Sequence, residues 1–296
     1  MRCLCWFLLS CFLLPGGASG ADLFSPKDKV VLIGSTLIER EQKYGYWETA
    51  LTVRYPGIQF RNLGWSGDDI TGHARRRFEH NDQNIGRRRL VELTLAEKPT
   101  VILIAYGNND SFAGEAGLNP FLETYNKLLD ELAPAKAKVV LMTPCPSETK
   151  GQFAELAKTQ NKNKAIYAKA IRELAKQRKL VVADLFTQLG GELASGVVNA
   201  TDNSIHLSET GYEITTSAWL NVLGIANNDG YSAQWDEVRK LVVEKNELYF
   251  HRWRPQNEPY LFGFRRHEQG RNAKEIVEFD PLIAAVEQKI VAALKK

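Results

Sequence analysis

The sequence predicts an α/β/α three-layer sandwich on a five-stranded parallel sheet, and three observations carry that expectation. Short β-branched runs at 29–33, 58–63, 101–106, 138–143 and 180–185 read as strands. Helical stretches lie between and after them, with apolar residues at three- and four-residue spacing. Runs such as Val101-Ile102-Leu103-Ile104-Ala105 are apolar without alternation, which suits strands covered on both faces by helices.

Taken in order, the first strand leads at Leu37 into a helix candidate over 37–55, which Pro56-Gly57 ends. Helices at 87–97, 120–132, 161–177 and 208–223 accompany the later strands. Together these fill 25–225, an ordinary size for one domain. The chain has 296 residues, 44% of them hydrophobic and 25% charged, enough to build a core without disulfide staples. A net charge of +3 is too small for a dedicated nucleic-acid binder, so Arg75-Arg76-Arg77 and Arg87-Arg88-Arg89 read as solvated helix faces.

Beyond the domain, 226–296 forms an extension of aromatic and basic character, including Leu248-Tyr249-Phe250-His251-Arg252-Trp253-Arg254-Pro255. A chain crossing the sheet there should bury Tyr249, Phe250 and Phe262 as a collar; a carbohydrate-binding lip is the alternative. The last helix, 281–296, carries Ile283, Val286, Ile290 and Leu294 on one face, which either docks on the domain or pairs with a partner or a second copy.

At the other end, Met1-Arg2, the apolar run 4–14, Pro15-Gly16-Gly17 and Ala18-Ser19-Gly20 have the pattern of a signal peptide over 1–20, cleaved after Gly20. The run is shorter than the roughly 20 residues of a membrane-spanning helix. The expectation is therefore an exported protein, periplasmic or extracellular in a bacterium, with no membrane span after cleavage. Cys3, Cys5 and Cys11 leave with the signal, so Cys145 stands alone and reads as a buried thiol at a strand end.

Four polar blocks punctuate this frame. Gly34-Ser35-Thr36-Leu37 follows the first strand, Asn62-Leu63-Gly64-Trp65-Ser66-Gly67 closes the second, and Gly107-Asn108-Asn109-Asp110 closes the third. Ligands of open parallel sheets bind outside the carboxyl ends of the strands, so these three turns mark a site. Their glycines let backbone approach a substrate, and turn amides supply donors. The fourth block, Asp202-Asn203-Ser204-Ile205-His206, places a histidine in a loop just ahead of a helix start at Ser208.

These blocks resemble those of the SGNH (GDSL-type) hydrolases over roughly residues 28–225. The resemblance implies the flavodoxin-like SGNH fold and an acyl-transfer site, with Gly64 and Asn109 as oxyanion donors and His206 as general base. Two positions depart from the family pattern. Thr36 stands where the family has its nucleophilic serine and Ser35 where it has aspartate; catalysis by Thr36 keeps the register, catalysis by Ser35 keeps the residue type. The carboxylate before the histidine is Asp202, four residues upstream, while Asn203 holds the usual third place. An amide can still orient an imidazole, and Asp202 could reach it through a one-residue bulge.

Trp65 and Asp110 flank the expected donors as candidate substrate contacts, Trp65 by stacking on a sugar ring. Asp68, Asp69, His73 and His80 match no closed zinc pattern, so no metal and no other cofactor is expected. The expected function is an ester hydrolase removing small acyl groups, acetyl above all, from carbohydrate or other esters. The rival expectation is a catalytically inactive SGNH-fold module that binds cell-surface glycan or a partner protein. An acyltransferase using the same site with a sugar acceptor is a third.

Overall fold

The strand-forming runs pair as one sheet. In the computed structural model, which describes residues 23–79, 81–196, 198–225 and 233–295, β1 (Lys29–Gly34), β2 (Gln59–Asn62), β3 (Val101–Ala105), β4 (Lys138–Met142) and β5 (Val181–Ala183) are all parallel, in the order β2-β1-β3-β4-β5. The expected signal segment, His80 and 226–232 lie outside the described residues. Val30 pairs with both Phe60 and Val101, and Val140 with Val181. Successive residues of a strand face opposite sides, so each strand feeds two cores.

Val30 and Leu32 pack with Ile38, Trp47, Leu51 and Trp219, from α1 (Thr36–Tyr44), α2 (Tyr46–Arg54) and, beyond β5, α7 (Glu209–Val222). Val31, Ile33, Ile102 and Ile104 pack with Leu90, Tyr125, Leu128 and Ile171, from α3 (Ile85–Ala96), α4 (Leu118–Leu132) and α5 (Ala154–Arg178). That two-sided cover is the physical reason for the unbroken apolar runs: each such side chain stabilises by about 1.5–3 kcal/mol when buried. The predicted three-layer sandwich is therefore the observed one.

The boundaries differ in two instructive places. The helix expected over 37–55 is two helices, because Gly45 takes a left-handed conformation (φ 69°) and caps α1 by donating its N–H to Glu41 O. The strand expected over 180–185 stops at Ala183, and Leu185 instead opens an unforeseen helix, α6 (Leu185–Ser195), capped by the Asp184 carboxylate accepting from Thr187 N. An apolar run alone does not distinguish a strand end from a buried helix start.

The extension packs as helices. Lys245 of α8 (Ala233–Trp253) ion-pairs with buried Glu48 at 2.6 Å, and Asn246 donates to the same carboxylate at 2.8 Å. After two short turns, α9 (Glu258–Leu261) and α10 (Arg266–Gln269), α11 (Phe279–Ala293) lays Val286, Ile290 and Ala293 on Val238 and Val242 of α8. The apolar face that could have served another chain is thus occupied within this one. Tyr249 is buried, donating to Glu97 at 2.9 Å, but Phe250 is half-buried and Phe262 is 51% exposed. The expected collar is incomplete because 254–278 runs as short surface turns and does not cross the sheet. Among the described residues no helix is long and apolar enough to cross a membrane.

Candidate active site

β1 runs through Ser35 into α1, delivering Thr36 as the first helical residue at a strand's carboxyl end. Since β1 lies between β2 and β3, the chain leaves it in one direction and returns on the other, and a crevice opens at that switch point. The turns after β2 and β3 and the loop before α7 converge there on a cleft of ≈ 820 Å³. Thr36, Asn109 and His206 all line it, beside Gly67, Arg40 and Lys43.

The two hydroxyls of the first block have different fates. Thr36 Oγ1 faces the turn after β2 and accepts from Gly67 N–H at 3.2 Å. Ser35, 1% exposed, is not part of the cleft, and its Oγ is buried without a hydrogen-bond partner. Ser35 is therefore withdrawn as a nucleophile candidate: the backbone enters α1 at Thr36 and presents that hydroxyl. Neither hydroxyl is hydrogen-bonded to His206 among the described residues, a separation that ligand-free sites commonly show.

Gly64 does not serve the cleft either. Its N–H is taken by Asn62 Oδ1 at 2.8 Å, and a Cβ there would stand 2.3 Å from Glu39 N, so this glycine exists to let the turn lie against α1. The donor in the cleft comes from the same block three residues later, where Gly67 turns with φ 78°. Beside it Asn109 donates one Nδ2 hydrogen to Asp68 O at 2.7 Å, leaving the other for the cleft. Asp68 itself is buried and accepts from Arg75 Nε at 2.6 Å, Tyr106 Oη at 2.9 Å and Ala74 N at 3.1 Å. This buried brace fixes the carbonyl that aims Asn109.

Asp110 and Trp65 do not line this cleft. Asp110 accepts from Ile70 N at 2.9 Å and Gly107 N at 2.8 Å, tying the second and third turns together, and its loss of solvent pushes its pKa up to about 6. Trp65 lies outside the cleft, under the Arg254 guanidinium at 3.6 Å, with Trp253 edge-on at 5.8 Å. The extension already occupies the ring a sugar would have stacked on.

His206 sits in a tight loop closed by the Thr201–Leu207 bridge. Asp202 does not reach the imidazole; it pairs with Arg40. Asn203 does: its Nδ2 is 3.1 Å from His206 Nδ1, while its Oδ1 accepts from His206 N at 3.0 Å and Ile205 N at 3.3 Å. Those two backbone donors fix which end of the amide faces the ring. Nδ1 is consequently the acceptor, and in the neutral imidazole the proton resides on Nε2. Burial, then the charges of Arg40 and Lys164, lower the His206 pKa, with Asp202 opposing.

Two residues that carry no motif brace this end of the sheet, Glu148 the His206 loop and Lys164 the segment after β4. Glu148, fully buried after β4, accepts from Ala200 N and Thr201 N at 3.0 Å each and from Thr201 Oγ1 at 2.6 Å, and its N–H donates to Ser204 O at 2.7 Å. Lys164, also buried, donates to Cys145 O at 2.9 Å and Ser147 Oγ at 2.8 Å, with burial lowering its pKa to about 8. Arg40 had a legible signal, lying one helical turn after Thr36; Glu148 had none. Cys145 is a buried free thiol with its pKa raised to about 11 by burial. Among the described residues no group of three or more His, Cys, Asp or Glu side chains could hold a metal ion.

A family model described as GDSL-like lipase/acylhydrolase matches residues 33–214. No curated protein matches the sequence. Among solved structures, a catalytic mutant of Axe2, an acetylxylan esterase from Geobacillus stearothermophilus, is similar with a TM-score of 0.55 and 19% identity over 70% of this chain and 100% of that one. LAE5, an α/β hydrolase enzyme from the metagenome of Lake Arreo, Spain, is similar with a TM-score of 0.50 and 18% identity over 70% of this chain and 99% of that one. At such identities the likeness speaks for a shared fold.

Proposed function

Because the chain belongs to the GDSL-like lipase/acylhydrolase family, and so to the ester-hydrolysing enzymes, we propose that it is an exported hydrolase removing small acyl groups from carbohydrate esters, with Thr36 as nucleophile. The acetylxylan activity of Axe2 lends the carbohydrate class its support. One observation carries the assignment of residues: Thr36, Gly67, Asn109 and His206 line a single cleft at a strand-end switch point. In the proposed reaction the Asn203 amide turns over so that the neutral imidazole carries its proton on Nδ1, and the freed Nε2 takes the Thr36 hydroxyl proton as Oγ1 attacks the acyl carbon. Gly67 N–H and the second Asn109 Nδ2 hydrogen hold the oxyanion, and the Thr36 N–H at the start of α1 adds a donor. The imidazolium then protonates the departing alcohol, and water resolves the acyl-threonine by the same path.

A second reading has its own observation. The Asn203 amide holds the proton on Nε2, the nitrogen that has to accept one, which favours a site that binds esters and hydrolyses them slowly or not at all. Initial rates of the mature protein on 4-nitrophenyl acetate and acetylated xylan, beside Thr36→Ala and His206→Ala, separate the two. Hydrolysis lost in both variants supports the enzyme; hydrolysis unaffected by either overturns the mechanism.

A further inference from the structure

The cleft is lined by hydrogen-bond donors and cations, with no Asp or Glu among its lining residues. Gly67 N–H, the free Nδ2 hydrogen of Asn109 and the Nε2 proton that Asn203 imposes on His206 all supply donors. Arg40 and Lys43 follow Thr36 on α1 at four and seven residues, hence on the same helix face, about 6 and 10 Å from it along the axis. Arg40 spends Nη2 on Asp202 and Tyr44, which steadies the guanidinium and leaves its other N–H groups available. Lys43 is exposed, with its ammonium 5.4 Å from the Tyr44 ring centroid and no carboxylate within ion-pair distance among the described residues. Of the two cations that line the cleft, Arg40 is ion-paired with Asp202 and Lys43 has no such partner among the described residues.

We infer that the cleft takes an ester carried on an anionic saccharide, whose carboxylate pairs with Lys43 and Arg40 while its acyl group reaches Thr36. This rests on the hydrolase reading and narrows it to uronate-type carriers. A neutral carrier such as xylan would leave Lys43 and the remaining Arg40 N–H groups hydrated and gain nothing from their charge.

The test compares acetylated oligogalacturonide with acetylated xylo-oligosaccharide of equal length, using 4-nitrophenyl acetate as the carrier-free control. The acidic carrier should show a KM about tenfold lower at low salt, and the preference should shrink several-fold at about 0.5 M NaCl, where exposed pairs are screened. Lys43→Glu should raise KM for the acidic carrier about tenfold more than for 4-nitrophenyl acetate. Equal KM values for the two carriers, or a Lys43→Glu effect common to all three esters, overturns the inference. If nothing is hydrolysed, the hydrolase reading fails first. Calorimetric titration with trigalacturonate and xylotriose then decides: tighter binding of the acid supports the inference and equal binding sinks it.

Discussion

Replacing Asn203 with aspartate is the most informative single change. In the wild-type loop, Oδ1 is held by His206 N at 3.0 Å and Ile205 N at 3.3 Å, so the amide nitrogen faces Nδ1 at 3.1 Å. To act as base, His206 must carry its proton on Nδ1, which sets one donor against another unless the amide turns over. Turning it over would cost the two backbone hydrogen bonds of this solvent-exposed loop, about 1 kcal/mol each. The sum, about 2 kcal/mol, keeps the base-competent tautomer to roughly one molecule in 30. The corresponding carboxamide substitution in a serine-protease triad lowers kcat by a larger ~10⁴-fold, with geometry kept.

Asn203→Asp removes this conflict without changing shape. One carboxylate oxygen keeps the two backbone donors, and the other accepts Nδ1–H, freeing Nε2. kcat/KM on 4-nitrophenyl acetate should rise about 30-fold or more. The ring ¹⁵N shifts of His206 should move from an Nε2–H to an Nδ1–H pattern. A carboxylate also stabilises the imidazolium, so the acid limb of the rate profile should shift upwards in the variant. A folded Asn203→Asp protein with kcat/KM within twofold of wild type, or an Nδ1–H tautomer already present in the wild type, would refute the reasoning.

The other expectations follow from individual contacts. Thr36→Ala should reduce hydrolysis to background, while Thr36→Ser should match or exceed wild type by removing the methyl that stiffens χ1; Ser35→Ala should leave rates unchanged, since that hydroxyl is buried outside the cleft. Asn109→Ala should lower kcat about 100- to 1000-fold, with a thermal shift of only ~2–4 °C for the one lost bond to Asp68 O. Glu148→Ala strands three donors of the His206 loop, for a loss of about 3 kcal/mol or more, read by calorimetry as a fall of ~6–12 °C in Tm. Because His206 must be neutral to act and its pKa is lowered by burial and then Arg40, the acid limb of kcat/KM should lie below pH 6.5, its ordinary value; Arg40→Gln removes a positive neighbour and should move that limb upwards.

The sheet was legible because strands buried on both faces must be apolar without alternation, and 101–106 and 138–143 are so. The convergence of Thr36, Asn109 and His206 on one cleft was legible for a related reason: turns at the carboxyl ends of neighbouring parallel strands have nowhere else to meet. Within a block, however, sequence cannot say which glycine packs and which donates. Gly64 and Gly67 differ only in what lies against them, namely α1 in one case and open cleft in the other. Glu148 was invisible because its partners, Ala200 and Thr201, are some fifty residues away and bind through backbone. The Arg254 guanidinium over Trp65 was not legible, because it belongs to an extension whose path no pattern in the chain specifies.

The first and fourth blocks depart from the family pattern at two positions, and both departures act on one proton. A hydroxyl attack needs that proton to travel from Oγ1 to Nε2. Thr36 retains the hydroxyl but restrains its rotation, and Asn203 fills the receiving nitrogen in advance. The groups that bind an acyl oxygen, Gly67 N–H and Asn109 Nδ2, are untouched and individually braced, by the turn and by Asp68. Ester binding and proton transfer are thus separable in this site. Affinity for an acylated ligand depends on the braced donors and on the Arg40 and Lys43 face, whereas turnover depends on which way a single amide is turned.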